Sequence, residues 1–206
     1  MKTKLTGRSA KTVNNILTVL NTMLRTAVEW GVIETMPCRI RLLPTITRSA
    51  AFHDFEAFDR LVMAAQEFGS TAKVIVLLGG HAGLRCGEMM ALEWTDVDLV
   101  EGQLTVARSD WKGQVTAPKG GRIRHVPLTD RLTAALNDHP RVRGRRVLTD
   151  PEGQPLTQKA VQCIVRRAAL RAGVSPTGVH VLRHTFCSHL AMKGAAAKAI
   201  QEFAGH

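Results

Sequence analysis

The sequence predicts a mainly α-helical protein with a small three-stranded antiparallel sheet. Through most of the 206-residue chain, apolar residues recur every three or four positions, which is the period of amphipathic helices. Between residues 103 and 128 this pattern gives way to short stretches that contain β-branched residues. Asp110, Gly113 and Gly120-Gly121 separate these stretches, and short strands divided by turn residues indicate a small antiparallel sheet.

The first helix is predicted over residues 9–30, and Gly31 can end it. We interpret its apolar stripe as a packing face rather than a site. The partner of this face is either the rest of the protein or neighbouring helices outside the sequence. Residues 37–50 contain two prolines and three arginines with little periodicity, which indicates a linker. The stripe consists of Val13, Ile16, Leu17, Leu20, Leu24, Ala27 and Val28.

The remaining elements follow in order. Asp54 can cap a helix over 55–68, and a very apolar helix over 71–80 ends at two glycines. After them come a helix over 85–92, strands over 103–107, 114–117 and 123–128, and helices over 130–137, 157–172, 180–193 and 195–203.

The charge of the chain indicates a polyanionic partner. There are 28 Lys and Arg against 17 Asp and Glu, which gives a net charge of +11. The positive charge is concentrated before residue 49 and after residue 100, whereas the stretch between them is acidic. Two basic blocks favour one or two surfaces for nucleic acid, although a solvated basic face gives the same composition. The basic stretches lack the aromatic-rich apolar face of a membrane-surface helix.

Several other classes of protein are excluded or disfavoured. There is no run of 18 apolar residues, so no membrane span is predicted, and the N-terminal residues lack the apolar core of a signal peptide. The cysteines at 38, 86, 163 and 187 form no CxxC pair, so neither a zinc ribbon nor a disulfide framework is expected. Scattered reduced thiols fit a cytoplasmic protein.

Two motifs place a cation where it could meet an anionic ligand. Arg85 and Glu88 are three residues apart, so they can pair and fix the guanidinium for an oxyanion. The same spacing also gives ordinary surface ion pairs. Lys119 lies beside Gly120 and Gly121 on a predicted turn, where it is either an exposed turn lysine or a group that reaches into a cleft.

Two further motifs lie towards the end of the chain. His180 and Arg183 fall on one face of a predicted helix, and the pair suits a phosphate, because arginine neutralises charge and histidine exchanges a proton near pH 7. His184 and His189 are interpreted as packing or surface histidines, since no HExxH-type spacing supports a metal site. The last motif is Gly205-His206.

Together, these motifs resemble the tyrosine recombinase (phage integrase) family. The resemblance lies in their order: Gly-x-Arg-x-x-Glu, Leu-x-Trp-x-Asp-Val-Asp over 92–98, a lysine seven residues before Val-Pro-Leu, His-x-x-Arg-His and finally Gly-His. It implies an incomplete catalytic domain over 52–206, a linker over 46–51 and, in 1–45, the end of a helical, DNA-binding core-binding domain. Ala204 stands where the family more often has leucine.

The resemblance also implies a role for each matching residue. Arg85 and Arg183 correspond to the two arginines that bind the scissile phosphate, and Lys119 to the general acid that protonates the leaving 5′-oxygen. Glu88 corresponds to a supporting carboxylate. His180 corresponds to the acid/base that orients the phosphate, and His206 to a histidine that hydrogen-bonds it.

Three basic residues are expected to contact the DNA itself. These DNA-binding candidates are Lys112, Arg122 and Arg124.

The family reaction is transesterification without metal, ATP or other cofactor. A tyrosine hydroxyl attacks the phosphate, forms a 3′-phosphotyrosyl bond and releases a 5′-hydroxyl. In the family this tyrosine follows the Gly-His motif, and the 206 residues contain no tyrosine. We therefore expect a chain truncated at its C-terminus, which binds DNA without cleaving it. We expect truncation at the N-terminus as well.

Other interpretations and the partners remain expectations. The chain could be a short DNA-binding remnant or competitor of a recombinase, or a fragment of a type IB topoisomerase, which shares the constellation. The family partner is duplex DNA with inverted half-sites, bound by a homotetramer. We expect this chain to be a monomer off DNA, without a membrane association, in a bacterial cytoplasm at the nucleoid.

Overall fold

The computed structural model of the protein describes residues 7–45, 50–118, 120–141, 144–175 and 177–205. The chain divides into two compact units, Met1–Ser49 and Ala50–His206. Within the described ranges, no helix is both long enough and apolar enough to cross a membrane.

The first unit contains one helix, α1 (Ala10–Glu29), among its described residues. Ser9 caps this helix, because its hydroxyl accepts a hydrogen bond from the Thr12 N–H at 3.2 Å. Asn14 holds the following segment, since its side chain accepts from the Leu43 N–H at 2.7 Å and donates to the Leu43 carbonyl at 2.9 Å. Of the predicted apolar stripe, only Val13 is buried, whereas the other members are half-buried or exposed.

The second unit is built around α3. Its residues 74–78 are completely buried, and it contacts α2, α5, α6 and α7, which explains why its sequence is apolar on every side. The helices of this unit are α2 (Phe55–Glu67), α3 (Ser70–Gly80), α4 (Cys86–Ala91), α5 (Asp130–Asn137), α6 (Gln158–Arg171), α7 (Val179–Met192) and α8 (Ala197–Ala204).

All eight predicted helices are present, and their ends differ from the prediction by at most two residues. The predicted cap of α2 is confirmed, because the Asp54 carboxylate accepts a hydrogen bond from the Ala57 N–H at 2.7 Å. The mainly α-helical class with a small antiparallel sheet is also confirmed.

The membership of the sheet differs from the prediction. The strands are β1 (Val97–Asp98), β2 (Gln103–Val106), β3 (Ser109–Trp111), β4 (Gln114–Thr116) and β5 (Arg124–Pro127). The three-stranded sheet has the order β1-β2-β5, with Val97 opposite Leu104 and Leu104 opposite Val126. The predicted strand over 114–117 does not belong to it, so that part of the prediction is wrong.

A two-residue turn explains the difference. Lys112 and Gly113 both have positive φ, 53° and 84°, the conformation of the two-residue turns that match the twist of a hairpin. The turn folds β4 back onto β3, with Ser109 opposite Thr116. β2 consequently pairs directly with β5, and β1 forms the third strand.

Candidate functional site

The site is built first around Glu88, in the first turn of α4. Its carboxylate accepts a hydrogen bond from the Arg85 backbone N–H at 2.8 Å and another from Arg85 Nη1 at 2.9 Å. The first contact satisfies an N–H group that the helix leaves unpaired, and the second orients the guanidinium. The ion pair expected from the three-residue spacing is therefore present, with Glu88 buried and the Arg85 side chain 22% exposed.

A second arginine binds the same carboxylate. Arg124 Nη1 donates to Glu88 Oε1 at 3.0 Å and Arg124 Nη2 donates to Oε2 at 2.7 Å, which is the bidentate geometry of a strong arginine–carboxylate pair. Burial alone would raise the pKa of Glu88, but the hydrogen bonds and charge of Arg124, with those of Arg85, hold it below its ordinary value. Glu88 is consequently ionised at neutral pH.

Arg183 reaches the site from α7 and is 4% exposed. Its Nη1 donates to the carbonyl of Gly83 at 2.6 Å, two residues before Arg85. Its Nη2 donates to the carbonyl of Ala204. Burial and then the nearby charge of Arg85 lower the pKa of Arg183 to about 10, so that it remains protonated at pH 7.

The three arginines also share the end of α8. Arg124 Nε donates to the carbonyl of Phe203 at 2.8 Å, and Arg85 Nη2 donates to that of Gly205 at 3.0 Å. With the Arg183–Ala204 bond, three consecutive carbonyl oxygens each accept from a different arginine. We call Arg85, Arg124 and Arg183 the arginine cluster. Its positive charge lies where the helix end concentrates partial negative charge.

Gly205 is required at this contact. It adopts a left-handed conformation with φ of 67°, which ends α8 and which glycine adopts without strain. A Cβ atom at this position would lie 3.1–3.3 Å from atoms of the Arg124 side chain. The close approach of the backbone to the arginine cluster therefore depends on a residue without a side chain.

An open groove lies beside Arg85. His180, in the first turn of α7, is exposed and lines the groove together with Arg85, and its ring lies 6.1 Å from that of His184. Further polar side chains of the groove come from α6, from the hairpin of β3 and β4 and from the segment before α7: Gln158, Gln162, Arg166, Ser109, Asp110 and Thr177. The structure thus brings Arg85 and His180 to one groove, while Arg183 is buried and bonded to the carbonyls of Gly83 and Ala204.

Two of the predicted site residues, Lys119 and His206, lie outside the described residues. Lys112 is exposed at the β3–β4 turn, with its ammonium 5.7 Å from the centre of the Trp111 ring. Arg122 is exposed and lines a separate depression together with residues of α8. For these residues the predicted contacts with DNA remain predictions.

Arg124 differs from the other two DNA-binding candidates in its burial, and its contact with DNA likewise remains a prediction. We expected it on the DNA backbone, but its side chain is 6% exposed and all three of its guanidinium nitrogens are bonded to Glu88 or to Phe203. The signal was present in the sequence, because alternate residues of a strand face the same side. Arg124 is two residues from the buried Val126, so β5 turns it inward.

Asp96 and His189 have structural roles. Asp96 accepts a hydrogen bond from the Glu93 N–H at 2.9 Å and one from Arg108 at 2.6 Å. His189 packs its ring against Phe55 at 4.1 Å and bonds the carbonyl of His53 at 3.0 Å, as expected of a packing histidine. In the described part of the chain, no group of three His, Cys, Asp or Glu side chains could hold a metal ion.

Comparison with known proteins places this arrangement in a family. The model of the phage integrase family matches residues 52–206. The chain therefore belongs to the phage integrase family. Its relatives include a tyrosine recombinase XerC of Thermodesulfovibrio yellowstonii, 31% identical over 98% of this chain and 69% of the relative, and a XerC-like tyrosine recombinase of Caldanaerobacter subterraneus, 27% identical over 97% of this chain and 60% of the relative.

Solved structures share the fold. The Tn1549 transposon integrase in complex with a circular intermediate DNA has a TM-score of 0.83 at 23% identity, over 100% of this chain and 74% of that one. A lambda integrase dimer bound to a COC′ core site has a TM-score of 0.71 at 21% identity, over 96% of this chain and 72% of that one. The chain spans about 60% of the length of the first curated relatives it matches.

Proposed function

We propose that the chain binds duplex DNA with the scissile phosphate in the groove beside Arg85, as part of site-specific recombination through a 3′-phosphotyrosyl intermediate. The observation that carries this proposal is that Arg85 and the exposed His180 line one groove, while Arg85 and Arg183 are held together at the adjacent carbonyls of Gly205 and Ala204. Membership of the phage integrase family supplies the chemistry.

The electrostatics of the site support a doubly anionic transition state. The arginine cluster contains three guanidinium groups, and the carboxylate bonded to it is that of Glu88. When phosphorus becomes pentacoordinate, charge builds on its non-bridging oxygens, and cations that are already positioned stabilise that charge without reorganisation. Removing one such donor costs about 10²–10³ in rate by analogy with oxyanion-hole deletions.

The roles proposed for the remaining residues follow the family. A tyrosine hydroxyl attacks phosphorus, the bond to the 5′-oxygen breaks, and Lys119 gives that oxygen its proton. His180 orients the phosphate and exchanges protons near it, and His206 donates a hydrogen bond to a phosphate oxygen. The 206 residues contain no tyrosine, so we propose that this chain alone binds DNA without forming the covalent bond.

The proposed partners extend to the rest of the complex. We propose that the basic segment 1–45, which lies within the first unit, belongs to a core-binding domain that contacts the same duplex, and that residues 52–206 form the catalytic domain. Two copies would then bind inverted half-sites, as the lambda integrase dimer binds its core site, and two such pairs would form the homotetramer. Off DNA, we propose a monomer, located in the cytoplasm at the nucleoid.

The test measures binding and cleavage separately. Fluorescence anisotropy with a labelled mixed-sequence duplex gives the dissociation constant over a range of salt concentrations. Arg85→Ala and Arg183→Ala should each weaken binding and reduce the slope of log K against log salt by about 1, because each removes one phosphate contact. Arg171→Ala is the matched control, since it removes an arginine whose partner is the exposed Glu67.

A nicked duplex tests cleavage. Incubation of the chain with this substrate should leave no protein–DNA adduct on a denaturing gel. A covalent adduct would contradict the non-cleaving part of the proposal. Arg85→Ala and Arg183→Ala proteins that bind with the affinity and the salt dependence of the wild type would contradict the phosphate site.

A further inference from the structure

We propose that Arg124 is a positioning residue, which holds Arg85 and Arg183 in register through Glu88 and the last turn of α8. The inference rests on the proposed function, because it takes Arg85 and Arg183 as the phosphate ligands. It assigns to Arg124 a role in the geometry of the site in place of a contact with DNA.

Arg124 donates hydrogen bonds to two different structural elements. Both Nη atoms bond the carboxylate of Glu88, and Nε bonds the carbonyl of Phe203. The residue is 6% exposed, and it borders the depression that Arg122 lines, but the hydrogen bonds of its three guanidinium nitrogens go to Glu88 and Phe203. Its contacts therefore lie with two structural elements, α4 and α8.

The carboxylate of Glu88 connects Arg124 to Arg85. Glu88 Oε1 accepts from Nη1 of both arginines, at 2.9 and 3.0 Å, and Oε2 accepts from Arg124 and from the Arg85 backbone. The bidentate grip of Arg124 fixes the plane of the carboxylate. That plane in turn sets the direction of the Arg85 guanidinium, which is the member of the arginine cluster that lines the groove.

The end of α8 connects Arg124 to both proposed phosphate ligands, Arg85 and Arg183. Arg124 holds the carbonyl of Phe203, and the next two carbonyls accept from Arg183 and Arg85. Phe203 and Ala204 belong to α8 and Gly205 ends it, so the three carbonyls are consecutive along the backbone and a shift of the first displaces the next two. Gly205 packs directly on the Arg124 side chain, so Arg124 also sets how closely the last turn of α8 approaches Arg85 and Arg183.

The chemistry requires arginine rather than any cation. A lysine at position 124 would keep the positive charge opposite Glu88, but its single ammonium cannot make a planar fork to a carboxylate and a third, divergent bond to a carbonyl. Positioning and charge compensation are therefore separable by substitution. Arg124→Lys preserves the charge alone, and Arg124→Gln removes it.

The experiment uses inorganic phosphate as the probe and the full chain as the protein. In ¹⁵N-labelled protein, the Nε–Hε signals of Arg85 and Arg183, assigned by substituting each arginine, report phosphate binding during a titration. We expect Arg124→Gln and Arg124→Lys each to weaken phosphate binding about tenfold, the scale on which outer partners of a binding group act. We also expect the Arg85 signal to shift in both variants before phosphate is added.

The matched control is Arg171→Gln. It also removes an arginine that donates to a carboxylate, here from Nε to Glu67 at 2.7 Å, but on an exposed surface. Its phosphate affinity and Arg85 signal should equal those of the wild type within a factor of two. Urea unfolding of every variant gives the folded fraction under the titration conditions.

Gly205→Ala tests the same contact from the other side, in case the Arg124 variants do not fold. Its Cβ would press on Arg124 and its φ would be strained, so we expect weaker phosphate binding here as well. Wild-type affinity in Arg124→Lys would overturn the positioning role, and so would wild-type affinity in Gly205→Ala. Absence of any phosphate shift at Arg85 and Arg183 in the wild type would instead count against the proposed function.

Discussion

Replacement of Glu88 by glutamine tests the energetic centre of the site. The residue is 2% exposed, and its carboxylate accepts four hydrogen bonds, two from Arg124 and two from Arg85. Glutamine has nearly the same shape, but it carries no charge, and its NH₂ group would face guanidinium donors. The substitution therefore leaves Arg124 as a buried cation without its counterion.

The magnitude follows from this burial. Removing one partner of a buried ion pair costs about 3–5 kcal/mol, because the remaining charge is desolvated without compensation. The estimate rests on Arg124, whose side chain is 6% exposed, since the more exposed Arg85 is screened by solvent. A domain has a free energy of unfolding of about 5–15 kcal/mol, so the Glu88→Gln protein should still fold but should lose a large part of this free energy.

The assay is urea unfolding followed by circular dichroism, with equal m-values required for the comparison. Glu67→Gln is the control, because its carboxylate pairs with Arg171 where both side chains are more than half exposed, and its loss should stay below about 1 kcal/mol. The lowered pKa of Glu88 adds a second criterion: its stabilisation is complete above the ordinary carboxyl value of 4.5 and is lost as the pH falls through the folded-state pKa. A loss below about 1 kcal/mol for Glu88→Gln at neutral pH would refute the reasoning.

Two further predictions concern other buried groups. Burial, and then the charge of Arg131, lower the pKa of His81 to about 4. Because the unfolded chain binds a proton at His81 more tightly than the folded protein does, the contribution of neutral His81 to the free energy of unfolding is complete above pH 6.5 and is lost towards pH 4. The urea midpoint should fall across that window and fall less in His81→Gln, and an identical pH dependence of the two proteins would contradict the assignment. Burial raises the pKa of the Cys86 thiol to about 11, so mass spectrometry should find iodoacetamide on the exposed Cys38 and Cys163 well before Cys86; equal labelling rates would show that Cys86 is not protected.

The helices could be predicted from the sequence because their signals are local. The period of the apolar residues marks each helix, and the Asp54 cap marks the start of α2 to the residue. The pairing of the strands has no such signal in the sequence. β4 pairs with β3 rather than with β2 because Lys112 adopts a positive φ, and the presence of a lysine does not predict that conformation.

The site was predictable as far as it consists of side chains in motifs. The ion pair of Arg85 with Glu88 is predicted by their spacing. The inward position of Arg124 agrees with the alternation of buried and exposed residues along β5. The contribution of α8 was out of reach, because it consists of backbone carbonyls that every residue possesses. Their role emerges only when the chain brings residues 203–205 back to Arg85, some 120 positions earlier in the sequence.

The two-residue turn at Lys112-Gly113 has a consequence for the order of folding. The pairs of β3 with β4 close loops of at most seven residues, and those of β1 with β2 are equally short. Among the three strand pairs of the described residues, β2 with β5 is the one that joins distant segments, from Val106–Arg124 to Gln103–Pro127. Short loops close at little entropic cost, so both local ribbons can form before the long loop closes. Arg124 is the first residue of β5 and lies opposite Val106, so we expect its bonds to Glu88, and with them the complete arginine cluster, to form only after that longer loop closes.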